Sequence, residues 1–365
     1  MTNRFSAEKW KQLAEIYRQW WNGTLERPII AVRVVGKTDW PEPELQMHGS
    51  RELYDLGIPA EAVIDRWDFE LSALKFMGDG FPCMWPNFGP GVLAAFIGCR
   101  GQPELDTTWF IPEEEKPIEE ISFSFNPEAP VFRRVADLMK AAQERWGSEV
   151  LVNMTDLGGN LDILSSFRPS EQLVFDLYDH PEQVKRLTWE AHEAWWAYYS
   201  AFNEVLQPVN PGYSAWTNLY SESPYYILQC DFCYMIGPEM FDEFVKPELA
   251  ASCKRLSNAF YHLDGPGQLP HLDSLLSIPE LKGIQWIPGA GQPDETKWPE
   301  VYGKIRDAGK LIQVFGRATS GQTGTLTAIA DQLDSAKGIA LIADVYNDEQ
   351  LDEAITLLEH YGIDP

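Results

Sequence analysis

The sequence has no run long and apolar enough to span a bilayer, and its opening, MTNRFSAEKWKQL, lacks the apolar core of a secretory signal. Basic residues are scarce: 29 Lys and Arg stand against 55 Asp and Glu, a formal net charge of −26. A nucleic-acid binder needs a basic footprint, so neither nucleic acid nor a membrane is expected as a partner. The same acidic field repels polyanionic substrates unless a local basic cluster overrides it. Cysteine is sparse and odd in number, with five thiols at Cys83, Cys99, Cys230, Cys233 and Cys253. The C-x-x-C of Cys230 and Cys233 has no second pair to complete a structural zinc site. A cytoplasmic protein with reduced thiols is the expectation. Tandem repeats and low-complexity segments are also missing.

Aromatic side chains, by contrast, are plentiful. The 14 Trp, 14 Tyr and 18 Phe suit both a large core and a pocket that grips an organic ligand. Their spacing predicts an N-terminal helix, with Trp10, Leu13, Ala14, Tyr17, Trp20 and Trp21 on one stripe, Ser6 as cap and Gly23 as stop. β-rich runs follow at Arg27–Val35, within Gly78–Gly98, at Glu149–Met154 and at Gly212–Leu219, the last a weaker pattern. Four more are AFYHLD, GIQWIP, LIQVF and GIALIA. Helical patterns intervene at about 271–278, 298–308 and 322–336, and a long one places Val184, Leu187, Ala191, Trp195 and Tyr198 on one face. A last helix starts with Asn347 and Gln350 in capping-box spacing. Residues 100–130 are polar and irregular and read as an insertion. Eight candidate strands, most followed by a helix, predict an α/β fold. The expected form is a single (β/α)8 TIM barrel over residues 1–365, in preference to an open doubly wound sheet.

In such a barrel, function sits at the carboxyl ends of the strands. The stretch YHLDGPG places His262 and Asp264 two apart, on one face of a strand, just before a turn. They read as metal ligands, as an acid/base pair, or as an Asp-Gly turn beside a hydrogen-bonded histidine. A metal there needs a third ligand, with Asp344, Cys233 and Glu222 as the candidates. Asp156, in TDLGG, either takes part in catalysis or holds the turn that Gly158 and Gly159 permit. Asp231 either faces the pocket or makes a helix-entry hydrogen bond. Trp85, Trp216, Tyr220, Gln285 and Trp286 are candidates for framing a substrate, and Arg33 either binds a substrate carboxylate or pairs with an acidic neighbour. His180, His192, His271 and His360 read as surface.

Three stretches, Thr155–Leu187, Cys230–Leu249 and Tyr261–Leu272, resemble the uroporphyrinogen decarboxylase superfamily. That superfamily also holds corrinoid-linked methyltransferases and, more distantly, cobalamin-independent methionine synthase. The resemblance implies a (β/α)8 barrel and, by precedent in the superfamily, a homodimer. True decarboxylases carry an Arg-Gln-Ala-Gly-Arg-Tyr segment near the first strand that binds tetrapyrrole carboxylates. The matching stretch here offers Arg33 and Lys37 without that motif. A substrate with many carboxylates needs several arginine forks, so porphyrinogen decarboxylation without a cofactor is demoted to the alternative. The methyltransferase branch carries a zinc-binding His-x-Cys at the fifth strand and a further Cys near the eighth. Here the pair is His262-Leu263-Asp264, and GIALIADVY offers only Asp344, which gives a harder zinc site. The first expectation is therefore methyl transfer from a small methylated compound to a thiol or to a corrinoid carried by a partner protein. A non-catalytic barrel that docks a carrier protein is the third.

Overall fold

The computed structural model describes residues 3–319 and 324–365. The N-terminal helix runs Ala7–Trp21, and the Ser6 side chain accepts from the Lys9 amide as its cap. All six residues of the apolar stripe are buried. Gly23 sits just past the helix with φ +67°, a left-handed conformation that glycine adopts without steric cost.

Eleven strands are present among the described residues. They are β1 (Ile29–Val35), β2 (Leu74–Gly78), β3 (Cys83–Met84), β4 (Cys99–Pro103), β5 (Thr108–Pro112), β6 (Leu151–Val152), β7 (Tyr225–Leu228), β8 (Asn258–Asp264), β9 (Leu281–Ile287), β10 (Leu311–Phe315) and β11 (Ile339–Val345). The central sheet has the order β2-β1-β11-β10-β9-β8-β7 and is parallel except for β2, which pairs antiparallel with β1. A separate parallel pair, β3-β6, stands beside it. The fold is thus a mixed α/β structure around a mostly parallel sheet. Parallel strands are covered on both faces, which explains why runs such as Tyr225–Leu228 and Leu311–Val314 are buried throughout.

The edge strands of the central sheet are β2 and β7, and no ladder joins either to the β3-β6 pair. Asp79 is buried and locks the turn after β2: its carboxylate accepts from the Ile30 amide and receives the Arg27 fork at 2.7 and 2.8 Å. Residues 212–219, the weakest of the expected strands, precede β7 in the chain. This segment is not a strand among the described residues; it makes one antiparallel bridge, Tyr213 to Ser221, and turns back through Asn218 at φ +56°. Its strand-like composition serves burial instead. Met154 donates to the Ser214 carbonyl, Asn153 to the Ala215 carbonyl, and Gln313 on β10 to the Thr217 carbonyl. The strand at this position is instead β7, four residues with no alternation to mark them.

The expected insertion forms a hairpin of β4 and β5, and the chain then enters the helix Pro130–Trp146. The long helix, Pro181–Leu206, buries Val184, Leu187, Ala191, Trp195 and Tyr198 as expected. The pattern at 271–278 resolves into a 3-10 turn, Pro266–His271, and a short helix, Leu272–Leu276. The pattern at 322–336 is realised as the helix Thr325–Gln332; residues 322 and 323 lie outside the described residues. Asn347 caps the last helix, Asp348–His360, by accepting from the Gln350 amide.

Candidate active site

The segments that follow β3, β6 and β7 meet the end of β8 around one cavity of about 260 Å³. Its lining includes Trp85, Asn87, Asp156, Trp216, Gln229, Asp231 and His262. A second cavity of about 510 Å³ adjoins it, lined by Arg33, Cys83, Phe315 and Asp344 among others. Trp85 and Trp216 line both, with ring centroids 6.5 Å apart and planes tilted by 37°. The two indoles therefore form the partition between the chambers.

His262 lies on β8 with its side chain half-buried. Its Nδ1 meets Gln285 Oε1 at 2.6 Å, and Gln285 on the adjacent strand is fully buried. An amide oxygen only accepts, so Nδ1 carries the proton and Nε2 keeps its lone pair. Burial lowers the His262 pKa, which holds the ring neutral and able to ligate or accept a proton. The Trp216 ring packs edge-on against it at 4.9 Å.

Asp231, His262 and Asp264 each bring a ligand atom within 4.8 Å of the others. His262 and Asp264 share a face of β8, as the two-residue spacing requires. Asp231 reaches the same point from the 3-10 turn after β7, where Gln268 donates to its Oδ1 at 3.3 Å. Burial and the nearby Asp264 charge raise Asp231 to about 6. One imidazole and two carboxylates form a hard, oxygen-rich donor set that suits a divalent cation with open positions. The Gln285 bond to Nδ1 supplies the outer partner that fixes such an imidazole.

Two further carboxylates stand behind this trio. Asp156 is buried and raised to about 7, chiefly by desolvation. It also holds its turn, accepting from the Gly158 amide at 2.9 Å, while Tyr226 donates to the Leu157 amide's neighbour Thr155 and accepts from Leu157 itself. Gly158 is required here: its φ is +77°, and a Cβ would fall 2.5 Å from Gly91 Cα. Asp156 therefore takes the turn-holding alternative and also lines the cavity. Asp162, which sequence reasoning passed over, accepts from the amides of Asp231 and Phe232 at 3.0 and 2.7 Å and is raised to about 7 by burial and the Asp231 charge. Its only sequence signal is its place in the same GGNLD stretch that opens the helix Asn160–Phe167.

Other expected site residues lie elsewhere. Gln285 supports His262 without lining the cavity. Trp286, its neighbour on β9, points to the opposite face, fully buried against Trp298. Tyr220 is core beneath the N-terminal helix, stacked on Trp10 with its hydroxyl donating to Pro211. Arg33 takes the acidic-neighbour alternative: its fork binds Asp344 at 2.8 and 2.6 Å across the β1–β11 register. Asp344 thereby sits in the second chamber and is not a third ligand to His262. Glu222 pairs with Arg18 on the surface, and Cys233 is buried beside Tyr261. The carboxylate that stands beside His262 and Asp264 is instead that of Asp231. His180 and His360 are exposed, whereas His192 and His271 are buried. His271 stacks on Phe241 at 4.6 Å and bonds the Cys233 carbonyl through Nε2; His192 lies 3.6 Å from the buried Glu248.

No protein-family model matches the sequence, and no curated protein matches it. Among solved structures, the chain is similar to a methyltransferase from Methanosarcina mazei, with a TM-score of 0.58 and 15% identity over 96% of this chain and 98% of that one. It is also matched, at a TM-score of only 0.36 and 13% identity, to an endo-1,4-beta-D-mannanase from Thermotoga petrophila RKU-1, over 68% of this chain and 85% of that one. The first likeness extends over nearly the whole of both chains and is a likeness of fold.

Proposed function

We propose that this chain is an enzyme of the uroporphyrinogen decarboxylase superfamily that transfers a methyl group from a small methylated compound to a corrinoid protein or a thiol. In this reading the strands form a (β/α)8 barrel whose ladder is interrupted at two seams, and the two chambers are its mouth. The observation that carries the assignment is the convergence of Asp231, His262 and Asp264 beside the Trp85–Trp216 partition. The fold likeness to a methyltransferase supports it. Decarboxylation of a polycarboxylate is disfavoured, because no Lys or Arg lines the first chamber and the Arg33 fork is engaged by Asp344. A purely carrier-docking role leaves the buried Asp156 and the convergence of Asp231, His262 and Asp264 without a purpose.

Asp231, His262 and Asp264 would hold a divalent cation, with zinc the first expectation. Bound there, it would act as a Lewis acid that keeps an accepting nucleophile deprotonated. The chain's own residues do the rest. Gln285 fixes the imidazole tautomer, Asp162 orients the backbone that carries Asp231, and the two indoles exclude water from the chamber where the donor sits. Asp156, near neutrality in its affinity for protons, can hold or release one at the donor.

Metal analysis of the purified protein, together with a methyl-transfer assay against thiol and corrinoid acceptors, tests this. The expectation is about one divalent ion per chain, with His262→Ala losing both the ion and at least about a hundredfold of the activity. Full activity in His262→Ala without any restorable metal would remove the metal centre.

A further inference from the structure

We propose that the first chamber binds a small protonated methylamine, a cation that keeps at least one N–H, as the methyl donor. The methyl group rests on the function proposed above; the charge and the N–H follow from the chamber itself. Asp106, Asp156 and Asp231 line it, Asp264 and Asp162 adjoin Asp231, and no Lys or Arg lines it. A divalent ion at Asp231, His262 and Asp264 would compensate two formal charges and leave Asp106 and Asp156 on the chamber wall, where a bound cation would favour the ionised form of Asp156. An organic cation answers that remainder.

Gln229 points to the same ligand independently of the carboxylates. It follows β7, lines the chamber, is only 4% exposed, and its Oε1 has no hydrogen-bond partner. A buried acceptor left unpaired costs about 1–3 kcal/mol. An ammonium N–H satisfies it; an ether, thioether or carboxylate has no proton to offer. The Trp85 and Trp216 rings, which also line the chamber, are the aromatic groups a cation there would meet.

The chemistry balances without an oxidant or reductant. The accepting nucleophile gives an electron pair to the methyl carbon, the C–N bond breaks, and its pair stays on nitrogen. The product is a neutral amine with a new lone pair.

Titration calorimetry on the full chain, with and without added zinc, tests the site with trimethylammonium, tetramethylammonium, tert-butanol and acetate as probes. Trimethylammonium should bind about tenfold more tightly than the uncharged tert-butanol and severalfold more tightly than tetramethylammonium, which has no N–H. Acetate should give no heat. Asp156→Asn should weaken trimethylammonium about tenfold. Gln229→Met, which keeps the volume and removes the acceptor, should bring the tri- and tetramethylated ions to within about twofold of each other. No heat with trimethylammonium, or tert-butanol binding as tightly, overturns the proposal. Binding in this pattern without methyl transfer to any acceptor would uphold the cation site and remove the methyl-transfer assignment. Methyl transfer from a neutral donor with no ammonium binding would do the reverse.

Discussion

Asp156 shows how much one side chain's surroundings decide. As an isolated aspartate it would be ionised throughout the neutral range; enclosed after β6 it is raised to about 7. A carboxyl whose pKa is higher folded than unfolded favours folding while it is protonated. That contribution is fully present below about pH 4 and is lost as pH rises through about 7. Asp156→Asn cannot ionise. Its stability relative to the parent should therefore increase between pH 4 and 8, by up to a few kcal/mol, as read from urea midpoints across that range. A parallel pH dependence in the two proteins would show that Asp156 is ionised at neutral pH in the fold. Removing Gln285 acts differently, since it leaves the ligands in place but frees the His262 ring. Gln285→Leu should weaken divalent-ion affinity by about 10–100-fold while the three ligands stay; unchanged affinity in a competition titration would exclude that supporting role.

Among the elements, the turn after β2 and the N-terminal helix carry the clearest energetic consequences. Asp79 is 1% exposed and satisfies both the Arg27 fork and the Ile30 amide just past the β1–β2 ladder. Asp79→Ala leaves the guanidinium half-enclosed and without its carboxylate, and should cost about 3–5 kcal/mol in denaturant unfolding. A loss under about 1 kcal/mol would mean that this turn is held by packing and the ladder alone. The cap of the N-terminal helix is exposed and local by comparison: Ser6→Ala should cost only about 1 kcal/mol.

For the whole molecule, a net charge of −26 on 365 residues makes self-repulsion a term of its own. Raising salt from about 0.01 to about 0.15 M shortens the screening length from about 30 to about 8 Å. Thermal stability should rise over that interval. A melting temperature that falls instead would indicate that the attractive ion pairs, such as Arg18 with Glu222, outweigh the repulsion. On the proposed function, in which only the assembled trio of Asp231, His262 and Asp264 would hold a divalent ion, such ions should stabilise further and in proportion to their affinity.

Periodicity in the sequence determined the helices with wide apolar stripes and the long buried strands, since burial of one face or of both leaves a direct pattern in the residue order. It also marked His262 and Asp264, because a two-residue spacing on a strand fixes a shared face. Tertiary structure alone decided the rest of the site. Asp231 and Asp162 join through turns, Gln285 through an adjacent strand, and β7 was too short to show a period. The segment 212–219 has strand composition but is held by hydrogen bonds from Met154, Asn153 and Gln313, partners 60, 62 and 96 residues away in the chain. Which aromatic faces the chamber was likewise settled by the side of the strand or loop it fell on: Trp216 inward, Trp286 outward and Tyr220 into the core. Local order specifies what a segment can form; long-range packing chooses which charges and rings meet.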